Sequence, residues 1–128
     1  MNNDLFGLKD TVVLITGANN PCGIGAAIAE SFAKQGARIF LHGYRGAALK
    51  SKTIPTIPGA DLYQHYNSIP LEVVLEKIRK YGVHVDGLEG SLADPLFIAK
   101  LFDQAAKRFG PVQVLINNAG FGDFGLFG

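Results

Sequence analysis

Apolar and polar positions along the chain fall into blocks that switch between strand-like and helix-like spacing. Val12-Val13-Leu14-Ile15 is a short continuous apolar run between polar residues, so Thr11 to Thr16 predicts a strand buried on both faces. Ile24, Ile28 and Phe32 recur every fourth residue with alanines between them, predicting a helix over Gly25 to Gln35 that Gly36 closes. Its small residues suit close packing on a sheet. Ala37 to His42 predicts a second strand. Ser68 reads as an N-cap, with Pro70 in the first turn and Val74, Leu75, Ile78 and Tyr81 as the apolar stripe up to Gly82. Val83 to Leu88 predicts a weaker third strand. Asp94-Pro95 is a strong helix start, followed by the stripe Ile98, Leu101, Phe102, Ala105 and Phe109, and Gly110-Pro111 ends it. Val112 to Ile116 predicts the fourth strand.

One stretch breaks this rhythm. Residues 43–66 hold Pro55, Pro58, Lys50, Lys52 and the pair Tyr63 and Tyr66, and predict a long loop with room for a helical turn around Asp61 to His65. No segment repeats internally. The alternation predicts an α/β fold with an open, doubly wound parallel sheet, and right-handed crossovers give strand order 3-2-1-4. In such a sheet a ligand sits in the crevice at the carboxyl ends of the first and fourth strands. Two distinctive stretches fall at those ends. Thr16 to Gly25 is a glycine-rich turn running into a helix N-terminus, and Asn117-Asn118-Ala119-Gly120 follows the fourth strand. Helix N-terminal N–H groups and the positive end of the helix dipole favour an anion such as a dinucleotide pyrophosphate.

Composition adds bounds. The 128 residues are 48% hydrophobic and 18% charged, enough for one globular domain with a core of its own. A net charge of +1 gives no reason to expect nucleic acid or an anionic membrane as a partner. No apolar run reaches the ~18 residues of a membrane helix, and the start lacks the basic-then-apolar pattern of a secretory signal. With the single Cys22, these features predict a soluble, cytoplasmic protein.

The combination of Thr16-Gly17 with Gly23-Ile24-Gly25, Leu92-Ala93-Asp94, the lead-in Phe109 to Leu115 and Asn117-Asn118-Ala119-Gly120 resembles the short-chain dehydrogenase/reductase family over essentially the whole chain. Within it, the chain is most similar to bacterial members described as 3-oxoacyl-carrier-protein reductases. The resemblance implies a Rossmann-type NAD(P)-binding fold and hydride transfer between a nicotinamide and a carbonyl or alcohol, including a 3-oxoacyl thioester as substrate. It implies that Gly17, Gly23, Ile24 and Gly25 approach the cofactor's phosphates and ribose, and that Asn117, Ala119 and Gly120 line the floor beside the adenosine ribose and the nicotinamide. It also implies a homo-oligomer.

Three departures sharpen the expectation. Five residues, Ala18 to Cys22, separate the first two glycines, a wider spacing than is usual in the family. Pro21 has no N–H to offer a phosphate, so Asn19 or Asn20 is expected to serve. Ser91, a candidate cofactor contact, stands where the family commonly has an aspartate on the adenine, so adenine recognition is expected either to be weaker or to be served by Leu92 and backbone alone. The second strand ends in His42-Gly43-Tyr44-Arg45, with no carboxylate from there until Asp61, where an NAD site usually ends in an acid. Tyr44 and Arg45 are the candidates there, and Arg45 could hold a 2′-phosphate, which predicts NADP over NAD. The alternative is an Arg45 merely solvated in its loop.

Other residues read as structural. Cys22 lies near a helix start without a partner His or metal-ligand spacing, so it is a small loop residue. His42, His65 and His84 share no metal spacing and are read as core or surface histidines, and Lys77, Arg79 and Lys80 as a solvated helix face. The family's chemistry rests on a tyrosine with a lysine four positions later, which lowers the phenol's pKa, and on an upstream serine. Here Tyr44, Tyr63, Tyr66 and Tyr81 are followed at that distance by Ala48, Asn67, Pro70 and Val85, so no catalytic residue is assigned. Together with a fourth strand left at an edge and the apolar tail Phe121 to Gly128, this predicts the N-terminal portion of a longer reductase, cut after the fourth strand. The alternative is a non-catalytic nucleotide-binding or scaffold module.

Overall fold

The structure, a computed structural model, describes residues 5–46, 54 and 56–120. Its elements run β1 (Val12–Ile15), α1 (Ile24–Lys34), β2 (Arg38–Gly43), α2 (Ala60–Asn67), α3 (Leu71–Arg79), β3 (Val85–Glu89), α4 (Pro95–Phe109) and β4 (Val114–Ile116). The four strands form one parallel sheet in the order β3-β2-β1-β4, as the alternation predicts. Register pairs Ile15 with Leu41 and Ile116, so the carboxyl ends of the two central strands and β4 come level.

Alternation along β1 and β2 builds two cores. Val13, Ile15, Ile39 and Leu41 face the side covered by the alanines of α1 and by Leu71, Val74, Leu75 and Ile78 of α3. Val12, Leu14 and Phe40 face the other side, against Leu101, Ala105 and Phe109 of α4. Phe40 meets Phe109 edge-on at 6.4 Å between ring centroids, a favoured aromatic geometry. Both faces of β1 are therefore dry, which explains its unbroken apolar run.

The helices differ from the sequence pattern in which residues face inward. In α1 the buried positions are Gly25, Ala26, Ala29 and Ala33, with Ile28 and Phe32 at the flanks of the contact. Ile24 is 72% exposed, because the first turn overhangs the carboxyl edge of the sheet. In α4, Phe97 packs inward in place of Ile98, and Phe102 faces outward with it. The α1 end matches its expected glycine stop, with Gly36 and Ala37 donating to Ala33 and Phe32 carbonyls. At α4, Asp94 Oδ1 accepts from the Leu96 N–H at 3.0 Å.

Two expectations need correcting. The segment 43–66 is not one loop: Gly43 completes β2 and a full helix, α2, occupies Ala60–Asn67. Ser68 does not start a helix. It ends α2, and its hydroxyl donates to the His65 carbonyl at 2.7 Å. Pro70 disfavours helical backbone at Ile69, so a helix cannot begin at Ser68 and run through. Pro70 is instead the residue before α3, and the first helical N–H, on Leu71, donates to Glu89 Oε1 at 3.0 Å from the end of β3. Lys50, Lys52, Pro55 and the tail Phe121 to Gly128 lie outside the described residues.

Candidate functional site

The chain leaves β1 through Thr16 and turns at Gly17, whose φ of 67° lies in the left-handed region. A Cβ built on Gly17 would stand 2.7 Å from Ala119 Cα, so only glycine lets the two segments meet. Gly25, in the first turn of α1, is equally close to its neighbours: a Cβ there would stand 2.7 Å from Asn118 Nδ2 and 3.0 Å from the Gly17 carbonyl. The glycine turn and the stretch after β4 are thus in direct contact.

Hydrogen bonds fasten that contact. Thr16 Oγ1 accepts from the N–H groups of Asn118 (3.1 Å) and Ala119 (3.0 Å). Asn118 Nδ2 donates to the carbonyls of Thr16 (3.1 Å) and Gly17 (3.0 Å). Asn117, Ala119 and Gly120 remain exposed on the rim. Beside them, α1 has Gly23 as its N-cap, with no side-chain cap and no acidic residue in its first turn. Ala27 is the first of its residues to donate back to the turn, to the Gly23 carbonyl at 3.2 Å. The N–H groups of Ile24, Gly25 and Ala26, at the positive end of the helix dipole, have no acceptor among the described residues. That arrangement fits a phosphate.

The two asparagines of the wide turn are engaged within the protein. Asn19 is buried, donates through Nδ2 to the carbonyls of Asn67 (2.7 Å) and Ile69 (3.0 Å), and accepts at Oδ1 from the Tyr44 N–H (3.2 Å). Asn20 Oδ1 accepts from the Cys22 N–H at 2.9 Å and Nδ2 donates to Asn67 Oδ1 at 3.3 Å. The extra residues of the turn therefore dock on the link between α2 and α3, and the Asn19 side chain has no N–H to spare for a ligand. Cys22 is exposed and free.

Tyr44 is exposed at the end of β2, and Arg45 Nε lies 3.2 Å from Glu89 Oε1. Glu89 is a carboxylate that the local sequence after β2 does not reveal, since the pairing of Gly43 with Glu89 brings it there. Ser91 and Leu92 follow Gly90 at the carboxyl end of β3. Ser91 Oγ accepts from the Ala93 N–H (3.2 Å), and Leu92 packs against the α4 core. His42 joins this loop to the glycine turn: its Nδ1 accepts from the Gly17 N–H at 3.0 Å, and its Nε2 lies 2.8 Å from the Gly90 carbonyl. Among the described residues no three of His, Cys, Asp and Glu gather as a metal site, and no helix is long and apolar enough to cross a membrane.

Four residues outside the predicted site residues complete the site. Thr16 and Asn118 tie the two strand ends together, His42 spans the turn and the β3–α4 loop, and Glu89 holds Arg45 and the start of α3. Asn118, inside the quoted Asn-Asn-Ala-Gly stretch, could have been found from that motif. The others depend on partners at least 18 residues away.

Comparison with known proteins agrees with this geometry. Residues 58–127 match the family model described as short chain dehydrogenase. Sorbose reductase of Candida albicans is 31% identical over 118 residues, covering 91% of this chain and 33% of that protein. A short-chain dehydrogenase from Burkholderia cenocepacia, solved in complex with NADP, superposes with a TM-score of 0.68 at 26% identity, covering 92% of this chain and 39% of that one. L-Sorbose reductase from Gluconobacter frateurii, solved with NADPH and L-sorbose, gives a TM-score of 0.63 at 27% identity, covering 90% and 35%. The chain spans between a third and two-fifths of the length of these relatives. By sequence match, strand order and the contact of its glycine turn with the residues after β4, this chain belongs to the short-chain dehydrogenase family.

Proposed function

We propose that the protein is an NADP-dependent oxidoreductase acting between a carbonyl and an alcohol of a small molecule, and that this chain supplies its cofactor-binding half. The observation that carries the reading is the seating of Asn118 and Ala119 on Gly17 and Gly25, beside a helix start whose first N–H groups have no protein acceptor. The N–H groups of Ile24 and Gly25 would take the pyrophosphate, with Gly17 and Gly23 allowing its approach. Asn19 and Asn20 would hold the width of the turn. Ser91 and Leu92 would border the adenine, and Asn117, Ala119 and Gly120 the ribose and nicotinamide. Bound there, the nicotinamide is the hydride donor or acceptor.

The preference for NADP rests on Arg45. Its Nε faces Glu89, which leaves the terminal nitrogens of the guanidinium for a 2′-phosphate. Two of the similar solved proteins carry NADP or NADPH. The similar sorbose reductases, by their names, act on a keto sugar, which favours a polyol or keto-sugar substrate alongside the 3-oxoacyl thioester. Within these 128 residues no tyrosine has a lysine four positions on, so by themselves they are expected to bind the cofactor without turning it over. We place the working protein in the cytoplasm as a homo-oligomer.

Calorimetric titration with NADP and NAD tests the reading. NADP is expected to bind about tenfold or more tightly, the effect of one charge-assisted contact, and Arg45→Ala to erase the difference. Glu89→Gln keeps the acceptor for Leu71 while removing a negative charge beside the phosphate, so NADP should tighten a few-fold and NAD should not. Equal affinity of the unaltered protein for both cofactors overturns the NADP assignment.

A further inference from the structure

The His42 ring is 1% exposed and lies between two backbone groups that each allow one role. The Gly17 N–H can only donate, so Nδ1 at 3.0 Å must offer its lone pair. The Gly90 carbonyl can only accept, so Nε2 at 2.8 Å must carry the proton. Of the three protonation forms of the ring, only the neutral Nε2–H tautomer satisfies both. The main chain of the same residue adds a third tie, since the His42 carbonyl accepts from the Ala18 N–H at 2.8 Å. On the far side, Gly90 donates to the Gly43 carbonyl at 3.0 Å and leads directly into Ser91 and Leu92. The Phe97 ring of α4 closes over this joint, 5.8 Å from the imidazole and packed where Gly90 has no side chain.

We propose that His42 is a positioning residue: it holds the glycine turn and the β3–α4 loop in register, so that the phosphate and adenine sides of the cleft form as one unit while its ring is neutral. The inference rests on the cofactor reading above for what the cleft holds, but the staple itself is a property of the protein alone.

The surroundings set the sense of its pH dependence. The glycine turn brings the Gly17 N–H to the ring, α4 brings Phe97, and the end of β3 brings one charge, Glu89, itself paired with Arg45. Burial holds the ring's pKa below its ordinary value, and the Gly90 carbonyl and Glu89 offset this only in part. The neutral ring therefore contributes its full stability above the unfolded pKa of about 6.5. That contribution is lost as pH falls from there through the lower folded value. A proton on Nδ1 would set N–H against N–H at Gly17 and release the turn.

Two substitutions separate the arms in the full protein. In His42→Asn the amide oxygen can stand near the Nδ1 position and keep the Gly17 acceptor, while His42→Gln can place its amide nitrogen near Nε2 and keep only the Gly90 donor. The readouts are NADP affinity by calorimetry, the Gly17 amide resonance, and thermal stability recorded separately. His42→Asn is expected to keep the Gly17 resonance and to bind NADP within about threefold of the unaltered protein. His42→Gln is expected to shift that resonance and weaken NADP about tenfold. Between pH 7 and 5 the unaltered protein should lose NADP affinity more steeply than His42→Asn, which has no ring to protonate. A merely structural His42 would give two variants that differ in stability alone, with equal NADP affinity and equal pH profiles, and that result overturns the proposal. Failure of the unaltered protein to bind NADP would instead remove the cofactor reading. The staple would then stand or fall on whether the Gly17 resonance survives His42→Asn and not His42→Gln.

Discussion

Gly17→Val is expected to abolish NADP binding and to cost the fold about 2–5 kcal/mol, the sum of a left-handed penalty and an overpacked contact. The φ of 67° disfavours any side chain, and a β-branched one most. The larger effect is steric. The first side-chain carbon already meets Ala119 Cα at 2.7 Å, and backbone cannot step aside as the end of a flexible side chain can. Either Gly17 leaves its turn or the stretch after β4 lifts away. In the second case Asn118 loses its bonds to the Thr16 and Gly17 carbonyls, and Thr16 Oγ1 loses its two donors. Gly17→Ala should show most of the defect, because the clash is made by Cβ. Urea unfolding gives the stability change and calorimetry with NADP gives the binding. A valine variant with an unchanged unfolding midpoint and unchanged NADP affinity would show that the two segments do not press together in solution.

The arrangement of strands was readable because each apolar run is short, bounded and of one period. Val12 to Ile15 has no polar position, and only a strand covered on both faces needs that. The helix starting at Asp94 was marked by chemistry that acts within two residues, and Asp94 does cap the Leu96 N–H. Ser68 shows the limit of the same local code. A serine hydroxyl can satisfy an N–H at the start of a helix or a carbonyl at the end of one, and the sequence around Ser68 offers both. Pro70 decides between them, and the cap of α3 then comes from Glu89, 18 residues away. The site divides in the same way. Gly17, Gly25 and Asn117 to Gly120 announce themselves by composition and by position at strand ends. His42 and Glu89 do not, since what they do is set by β2–β3 register and not by their neighbours in the chain. Asn19 was visible as a polar residue in a glycine turn, but its partners across the fold could not be read.

Asn19→Leu is expected to destabilise the protein by about 2–4 kcal/mol, although leucine is similar in size and more apolar. The asparagine is 5% exposed and meets three backbone groups: the carbonyls of Asn67 and Ile69 and the N–H of Tyr44. Leucine removes all three partners at once, and a buried polar group left unpaired costs about 1–3 kcal/mol. The total stays below the sum because Asn67 and Ile69 are only half-buried and Tyr44 is exposed, so water can recover part of it. Hydrogen exchange should report the loss at the α2–α3 link and in the turn, sooner than in β1. Asn19→Asp sharpens the test through pH. Its oxygen can still accept from Tyr44, but a charged carboxylate would face two carbonyl oxygens, which raises its folded pKa above the usual ~3.9. The sign follows from linkage: a carboxyl whose folded pKa is raised stabilises the fold below its unfolded pKa, and that stability is lost as pH rises through the folded value. Asn19→Asp should therefore approach the unaltered protein in acid and fall behind it toward neutrality, whereas Asn19→Leu should trail by a similar margin throughout. Parallel pH profiles for the two variants would mean that Asn19 does not donate to the α2–α3 link and that the wide turn is held by its own backbone.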